Sequence, residues 1–403
     1  MLPSTRTTGQ SWTTALQRTA LHLLLALAIL PGCANAGGAP AVWRLGFYWS
    51  PTAATYSPAL LPWSMYSHVS QMAILPTAGC GIDENAYLAG AVKAELVRAA
   101  HAAKVKITIT LMQDEPLTAI IKCTQRDRIA DFVAVLAAYV KANGYDGVDL
   151  DWEGEVVPSQ FQDLVRRLRQ AMPGSILTAD IAMHQRGYLV EIQDNLDRIN
   201  VMNYDLWTSD YHGRALKETW HHAALLSAGD RERHQTAEAG IAYVLDSGIK
   251  ASKVNLAVPF YGYAFQGCQK GFDNAEVCKK ALSAPLEPIG RSGIKKTQVE
   301  FNKVFANFGK GVARWDAVHK TPYITYRSAR EPGCTSGLCV GDAFVTYTDE
   351  RQMVESVDFL VSRQLGGIMT FALHQEFMKD RKGAARYPLS SAIYNSLALK
   401  AKL

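Results

Sequence analysis

Short apolar and β-branched runs recur along the chain, and amphipathic helical stretches such as 128–142 and 159–172 separate them. Strands that alternate with helices predict an α/β protein with a parallel sheet. We count eight strand-like runs: Trp43–Trp49, His68–Leu75, Val105–Leu111, Gly147–Glu153, Ile176–Ile181, Arg198–Tyr204, Val254–Phe260 and Gly367–Leu373. Eight strand-helix units predict a closed (β/α)8 TIM barrel.

The seventh and eighth runs start 113 residues apart, which is much more than one strand-helix unit requires. The intervening segment holds four cysteines and short strand-like pieces at 323–326 and 343–347. We predict a small α+β insertion domain at 264–347, between strands 7 and 8 of a barrel formed by 37–263 and 348–403. A long irregular loop held by disulfides is the alternative.

The first 36 residues have the pattern of a signal peptide. Arg6 and Arg18 precede the apolar run Ala20–Leu30, and Ala34-Asn35-Ala36 is a small-x-small cleavage site. The apolar run contains His22 and is shorter than the ~20 residues that cross a bilayer, so we expect no transmembrane segment. We therefore expect a secreted protein.

A second export signal overlaps the first. Leu30-Pro31-Gly32-Cys33 resembles a bacterial lipobox, in which the cysteine thiol is acylated. A lipid anchor at Cys33 on a bacterial envelope membrane thus remains the alternative to soluble secretion.

Six of the seven cysteines lie outside the predicted leader. An even number in an exported chain favours disulfides over metal sites, with free buried thiols as the alternative. Proximity in sequence suggests the pairs Cys268–Cys278 and Cys334–Cys339, which leaves Cys80 for Cys123.

Charge and composition narrow the functional class. Lys and Arg total 42 against 37 Asp and Glu, and a net charge of +5 without a basic run argues against nucleic-acid binding. No Cys/His cluster has zinc-ligand spacing, and we expect His221 and His222 at the surface or beside a site. We expect a monomer with no cofactor and no bound metal.

The most informative segment is Gly144–Glu153. Successive side chains of a strand point to opposite faces, so Asp149, Asp151 and Glu153 share one face. The other face is apolar and would pack under the helices, which turns the acids into the barrel. There, desolvation and mutual repulsion oppose full ionisation, and one proton should be retained.

Glu153 is nearest the carboxyl end of its strand, where barrel active sites lie, and is the natural holder of that catalytic proton. A salt-bridged acidic cluster is the structural alternative, although the strand has no Lys or Arg. A metal site with carboxylate ligands is a further alternative.

The run Asp146-Gly-Val-Asp149-Leu-Asp151-Trp-Glu153 resembles the DxxDxDxE signature of family-18 glycoside hydrolases, the chitinase family. Val201–Asp205 resembles the family's MxYD, and Leu256–Gly262 resembles its PFYG. The resemblance implies hydrolysis of β-1,4 linkages in N-acetylglucosamine polymers, in which the substrate's 2-acetamido group replaces the enzyme nucleophile.

By the same resemblance, Glu153 is the general acid and base, Asp151 orients the acetamido nitrogen, Asp149 tunes Asp151, and Tyr204 binds the acetamido carbonyl. Further substrate-binding candidates are Asp146, Tyr48, Met202, Asp205, Trp207 and Phe371. Among other loop aromatics, Trp49, Tyr211, Trp220, Phe265 and Trp315 could also stack on sugars.

Two departures from the family pattern concern the substrate. Phe371 stands where the eighth strand usually carries a tryptophan, and Thr110-Leu-Met-Gln113 replaces the third-strand SxGG motif. Peptidoglycan or an N-glycan core is therefore an alternative substrate, and a lectin that has lost catalysis is an alternative function.

Overall fold

The computed structural model describes residues 42–88, 90–206, 220–228, 236–266, 295–309, 311–326 and 343–402. The predicted leader with Cys33, the loop aromatics Trp207 and Tyr211, and the cysteines other than Cys80 and Cys123 lie outside these ranges.

Eight parallel strands close into a barrel, because the first strand pairs with both the second and the last. In barrel order they are β1 (Trp43–Trp49), β2 (His68–Pro76), β4 (Lys106–Met112), β5 (Gly147–Asp151), β6 (Ile176–Ile181), β7 (Arg198–Met202), β8 (Val254–Pro259) and β14 (Gly367–Phe371). A two-residue strand β3 (Ile82–Asp83) adds antiparallel to β2. The predicted TIM barrel is confirmed.

Four of the predicted runs extend one or two residues past the observed strands, at the carboxyl ends. Beyond those ends the chain leaves the regular strands of the barrel. The Glu153 N–H donates to the Gln113 side-chain oxygen at 2.8 Å. Glu153 thus lies just after β5, in the turn at the mouth of the barrel, meaning the carboxyl-terminal end of its strands.

Helices cover the outside of the barrel. In α3 the predicted apolar positions Ile129, Phe132, Val133, Leu136 and Val140 are all buried, and the helix ends at Gly144, whose φ of 74° suits glycine. The helices are α1 (Gly90–Ala102), α2 (Thr118–Cys123), α3 (Ile129–Asn143), α4 (Pro158–Ala171), α5 (Ala237–Asp246), α6 (Phe301–Phe308), α7 (Glu350–Ser362) and α8 (Pro388–Lys400).

A five-stranded antiparallel sheet lies between β8 and β14 in sequence. It begins at Tyr261, three residues before the boundary read from the sequence. Its strands are β9 (Tyr261–Gln266), β10 (Lys295–Glu300), β11 (Val312–Asp316), β12 (Thr321–Tyr326) and β13 (Ala343–Thr346), in the spatial order β10-β9-β13-β12-β11. Helix α6 follows β10, so this region combines sheet and helix.

The barrel interior is apolar at one level and polar at another. The apolar cluster is formed by Leu45, Phe47, Met72, Ala73, Ala257, Met369 and Ala372. The buried polar residues come from neighbouring strands and include Ser70, Thr108, Thr110, Asp149, Thr178, Asp180, Asn200 and Asn255. Hydrogen bonds stabilise buried polar groups, and several of these residues bond to one another.

Cys80 and Cys123 form a disulfide, as predicted, with their Cα atoms 5.3 Å apart. The bridge ties the turn after β2 to the end of α2. Within the described ranges, no helix is both long and apolar enough to cross a membrane.

Candidate active site

The acids of β5 point into the barrel. Asp149 is fully buried and Asp151 is 5% exposed, whereas Val148 and Leu150 on the opposite face join the large core beneath the helices. The alternation that the sequence predicts is thus present in the structure.

Asp149 is held by donors from the strands on both sides of β5. Thr178 Oγ1 on β6 and Thr110 Oγ1 on β4 donate to its carboxylate, the latter at 3.2 Å, and Asn200 Nδ2 lies at 3.5 Å. Burial raises the pKa of Asp149 to about 6, although hydrogen bonds from Thr178, Asp180 and Thr110 oppose that rise.

Asp151 and Glu153 share a hydrogen bond. Burial, and then the charges of Glu153 and Asp149, raise the pKa of Asp151 well above its usual range. Partial desolvation also raises the pKa of Glu153, which is open to solvent at the mouth, but the bond from Asp151 opposes this. These shifts favour the retained proton on Asp151, directed at Glu153, in the free protein. That Glu153 delivers a proton to the substrate stays a prediction.

A fourth acid, Asp180 on β6, completes the cluster and was missed in the sequence. It is 3% exposed and accepts a hydrogen bond from Asn200 Nδ2 at 2.7 Å. Asn255 Nδ2 in turn donates to Asn200 Oδ1 at 2.8 Å. The signal was present, because alternation in Ile176–Ile181 places Thr178 and Asp180 on one face.

Aromatic rings surround the acids at the mouth. The ring of Tyr204, after β7, lies 6.0 Å from that of Tyr261 and 6.2 Å from that of Phe371. Burial raises the pKa of Tyr204 well above its usual range, and the neighbouring carboxyl cluster adds to the rise, so its hydroxyl keeps a proton to donate. Met202, at the end of β7, packs on the inner apolar cluster beside these rings.

Asp205 and Tyr261 are joined at the same rim. Asp205 has a φ of 56°, and it accepts a hydrogen bond from the Tyr261 hydroxyl at 2.8 Å. Tyr261 belongs to the seventh-strand motif noted in the sequence, but its role as a partner of Asp205 was not predicted.

Two predicted substrate-binding residues do not reach this site. Tyr48 points to the outer core, where its hydroxyl donates to the Tyr56 carbonyl at 2.8 Å, and the neighbouring Phe47 faces the barrel interior instead. Alternation makes adjacent positions face opposite ways, so choosing Tyr48 put the wrong member of the pair at the site.

Asp146 precedes β5 and lies at the amino-terminal end of the barrel. It is ion-paired with Lys106 at 2.8 Å, lies 3.1 Å from His101 Nε2, and accepts the Ile107 N–H at 2.9 Å. Hydrogen bonds from these partners lower the pKa of Asp146 although burial opposes the shift. Its position supports a role in fixing β4 against β5, not in binding a sugar at the mouth.

The residues that replace the family's SxGG motif fill the space beside the acids. Thr110 bonds Asp149, Met112 packs with the inner apolar cluster, and Gln113 accepts the Glu153 N–H. This side of the site is therefore more crowded than glycine would leave it.

The other loop aromatics differ in position. Trp220 and Phe265 are 4% and 3% exposed and pack within the protein, which does not suit stacking on a sugar. Trp49 lies next to the inner cluster with its ring 5.0 Å from that of Tyr87. Trp315 carries the Arg351 guanidinium 3.9 Å above its ring.

His221 and His222 are fully buried, so of the two expected positions, at the surface or beside a site, the surface is wrong for both. His221 Nε2 lies 3.2 Å from Asp316 of the insertion sheet, and His222 Nδ1 lies 3.8 Å from Asp205 at the rim. Among the described residues, no group of three or more His, Cys, Asp or Glu could hold a metal ion.

The parallel barrel and its carboxyl cluster are those of a barrel glycoside hydrolase. A family model described as "Glycosyl hydrolases family 18" matches residues 94–376. The chain belongs to this family.

Curated relatives include Probable chitinase 10 of Drosophila melanogaster, 26% identical over 288 residues that make up 65% of this chain and 11% of that protein. Chitinase A1 of Niallia circulans is 26% identical over 270 residues, 58% of this chain and 35% of that protein. The chain thus spans no more than half the length of the curated relatives it matches first.

Solved structures agree on the fold. Catalytic domain 2 of the Ostrinia furnacalis Group II chitinase has a TM-score of 0.72 at 19% identity, covering 89% of this chain and 96% of that one. The class V chitinase from Nicotiana tobaccum has a TM-score of 0.72 at 17% identity, covering 89% and 99%. A variant of the Nicotiana enzyme was solved in complex with NAG4.

Proposed function

We propose that the protein hydrolyses β-1,4 linkages of N-acetylglucosamine polymers, chitin or chitooligosaccharides, with Glu153 as general acid and base. One observation carries this proposal: Glu153 stands at the mouth and shares a hydrogen bond with the buried Asp151, whose pKa burial raises well above its usual range. A general acid must meet the substrate and have a proton available near neutral pH, and this pair supplies both. The named chitinases among the relatives support the choice of polymer.

The reaction would begin by protonation of the glycosidic oxygen. When a sugar covers Glu153, loss of its remaining solvent favours the neutral carboxyl, and the proton of Asp151 can pass along the shared bond. Glu153 then gives that proton to the leaving oxygen. As a carboxylate, it next takes a proton from water, which resolves the intermediate.

The substrate's own 2-acetamido group would act as the nucleophile, so the anomeric configuration is retained. The ionised Asp151 would accept the acetamido N–H and stabilise the oxazolinium-like charge. The Tyr204 hydroxyl, kept neutral by burial, would donate to the acetamido carbonyl. Met202, Asp205 and Phe371 would border the same sugar.

The decisive test replaces Glu153 with Gln. Glu153→Gln should lower the rate of chitooligosaccharide cleavage by ~10²–10⁴-fold while oligosaccharide binding persists, because only the proton donor is removed. Glu155→Gln, an exposed carboxylate two residues further on, is the matched control and should behave as wild type. Cleavage by Glu153→Gln at the wild-type rate would refute the assignment.

Product analysis identifies the substrate and separates enzyme from lectin. Wild-type protein is incubated in parallel with chitin oligomers, peptidoglycan and an N-glycan, and products are resolved by mass and anomeric configuration. We expect chitin oligomers to be cut with retention. Preference for another polymer would instead follow from the crowding by Met112 and Gln113, and binding without cleavage would indicate a lectin.

We also propose that residues 1–36 are removed on export. Arg6 and Arg18 before the apolar run, and Ala34-Asn35-Ala36 after it, support this. Sequencing the amino terminus of the mature protein should find Gly37. A lipid-modified Cys33 at the amino terminus, lost in Cys33→Ser, would show anchoring instead.

A further inference from the structure

Asp180 is a buried acid that neither the family signature nor the mechanism above uses. It sits on β6, next to the strand that carries Asp149 and Asp151, and it shares a hydrogen bond with Asp149. Two carboxyl groups can hydrogen-bond to each other only when one of them carries a proton.

The partners of each acid decide which one holds that proton. Asp149 accepts from Thr178 and Thr110 and lies within reach of Asn200, so three other donors stabilise its ionised form. Asp180 has Asn200 as its amide donor, at 2.7 Å. Hydrogen bonds to a carboxylate favour ionisation, so Asp149 is the ion and Asp180 is the neutral acid.

Among the described residues, no cationic side chain neutralises the carboxyl cluster of Asp149, Asp151 and Asp180. In the ranges that the structure describes, no Lys, Arg or His is ion-paired with Asp149, Asp151 or Asp180. Unpaired charges in a desolvated site are costly, so protonation is the available means of lowering the net charge.

We infer that Asp180 is a positioning residue of this active site, a permanently neutral acid that donates to Asp149 and so keeps the mobile proton on the Asp151–Glu153 pair. The inference rests on the proposed hydrolysis and deepens it. Asp180 does not touch the substrate in this scheme. It acts through Asp149, whose negative charge in turn favours a proton on Asp151.

The titratable groups around Asp180 agree with this assignment. Facing it are Asp149 and Asp151 on β5 and Tyr204 after β7. Burial, followed by the neighbouring carboxyl groups of Asp149 and Asp151, raises the pKa of Asp180 well above its usual range. The pKa of Asp149 rises only to about 6, because burial raises it and hydrogen bonds, including the one from Asp180, lower it.

The structure therefore predicts opposite outcomes for two substitutions. Asp180→Asn can still accept from Asn200 and donate to Asp149, so its pH profile of kcat should match wild type. Asp180→Ala removes the donor, so Asp149 takes up a proton and becomes neutral. Asp151 then loses the neighbouring negative charge that favours a proton on its own carboxyl group. The alkaline limb of the profile should then move to lower pH by about one to two units, the range expected for losing a hydrogen bond to a charged group.

The profiles are measured on a chitooligosaccharide, with thermal unfolding as the check on folding. Thr178→Val removes another donor to Asp149 and should shift the limb in the same direction as Asp180→Ala. Asp163→Asn, on the exposed face of α4, should leave it in place. An alkaline limb that moves equally in Asp180→Asn and Asp180→Ala, or in neither, would overturn the inference. If Asp180→Ala does not fold, Asp180→Val, which likewise has no side-chain donor, takes its place.

Infrared spectroscopy tests the protonation state without any substrate. At neutral pH the wild-type protein should show the carbonyl band of buried neutral carboxylic acids, and Asp180→Asn should lose one such band. An unchanged band would show that Asp180 is ionised and would refute the inference. Because this readout does not depend on catalysis, it decides the role of Asp180 even if the protein fails to cleave every polymer tested.

Discussion

The hydroxyl of Tyr261 donates a hydrogen bond to Asp205 at 2.8 Å, and this contact joins the first strand of the insertion sheet to the rim of the barrel. Asp205 follows Tyr204 in the chain, so the insertion sheet reaches the site at the residue next to the one proposed to bind the acetamido carbonyl. His222 packs on the same tyrosine, with ring centroids 5.3 Å apart. The insertion thus contributes directly to the shape of the site.

Tyr261→Phe should weaken catalysis in a protein that still folds. The substitution keeps the ring and removes only the hydroxyl bond to Asp205. A hydrogen bond to a charged group is worth about 1.5–3 kcal/mol, so kcat/KM on chitooligosaccharides should fall roughly 10- to 100-fold. Tyr243→Phe, on the exposed face of α5, serves as control. Equal kcat/KM for Tyr261→Phe and wild type would mean that this bond does not orient the site.

Phe371 tests the stacking surface for the cleaved sugar. Its ring lies 6.1 Å from Phe47 and 6.2 Å from both Tyr204 and Tyr261. Phe371→Trp enlarges the aromatic face, and a better stack should lower KM by up to about tenfold, since such contacts are worth ~0.5–1.5 kcal/mol. Steady-state kinetics and oligosaccharide titration measure this, with the exposed Phe305→Trp as control. Unchanged affinity would show that other groups shape this subsite.

Much of the site could be read from strand alternation alone. Asp149 and Asp151 follow each other at the period of a strand, and their apolar neighbours fix which face is inward. Tyr48 fails by the same rule, because in an aromatic run such as Phe47–Trp49 every position is apolar enough to face either way. In such a strand, only the pairing register with the neighbouring strands decides which residues face the barrel interior.

Asp146 and Asp180 show what strand alternation within one segment does not predict. Asp146 belongs to the same signature as Glu153, but the length of β5 separates them, so closeness in sequence did not give closeness in space. Asp180 stands alone in its strand, and its importance depends on Asp149 of the next strand. Pairings between strands of different chain segments are set by the closed barrel, which a single segment does not encode.

The disulfide should stabilise the protein without taking part in catalysis. Cys80 and Cys123 are 43 residues apart, and cross-linking a loop of that length restricts the unfolded chain. The double substitution Cys80→Ala with Cys123→Ala should lower the free energy of unfolding by about 2 to 4 kcal/mol in urea titrations. The kcat of the folded variant should stay at the wild-type value. Loss of kcat with stability unchanged would reverse this interpretation.

Glu376 should make the stability of the fold depend on pH. It is fully buried at the start of α8, where it accepts the N–H groups of Leu389 at 2.7 Å and Ser390 at 3.0 Å and the Ser390 hydroxyl. Burial raises the pKa of Glu376 to about 8, although these bonds oppose the rise. In the unfolded chain the value is near ~4.3.

Between these two pKa values the folded state holds a proton that the unfolded state has released. The contribution of Glu376 to the free energy of unfolding is therefore greatest below pH ~4.3, declines as pH rises, and is lost as pH passes about 8. Glu376→Gln is neutral throughout, so it should destabilise the protein more at pH 5 than at pH 8, as measured by urea unfolding at both values. The exposed Glu155→Gln, which is not among the groups that shift Glu376, should change stability equally at the two pH values. The same uniform change in Glu376→Gln would mean that Glu376 is already ionised in the folded protein, because only a carboxyl that stays protonated on folding responds to pH in this window.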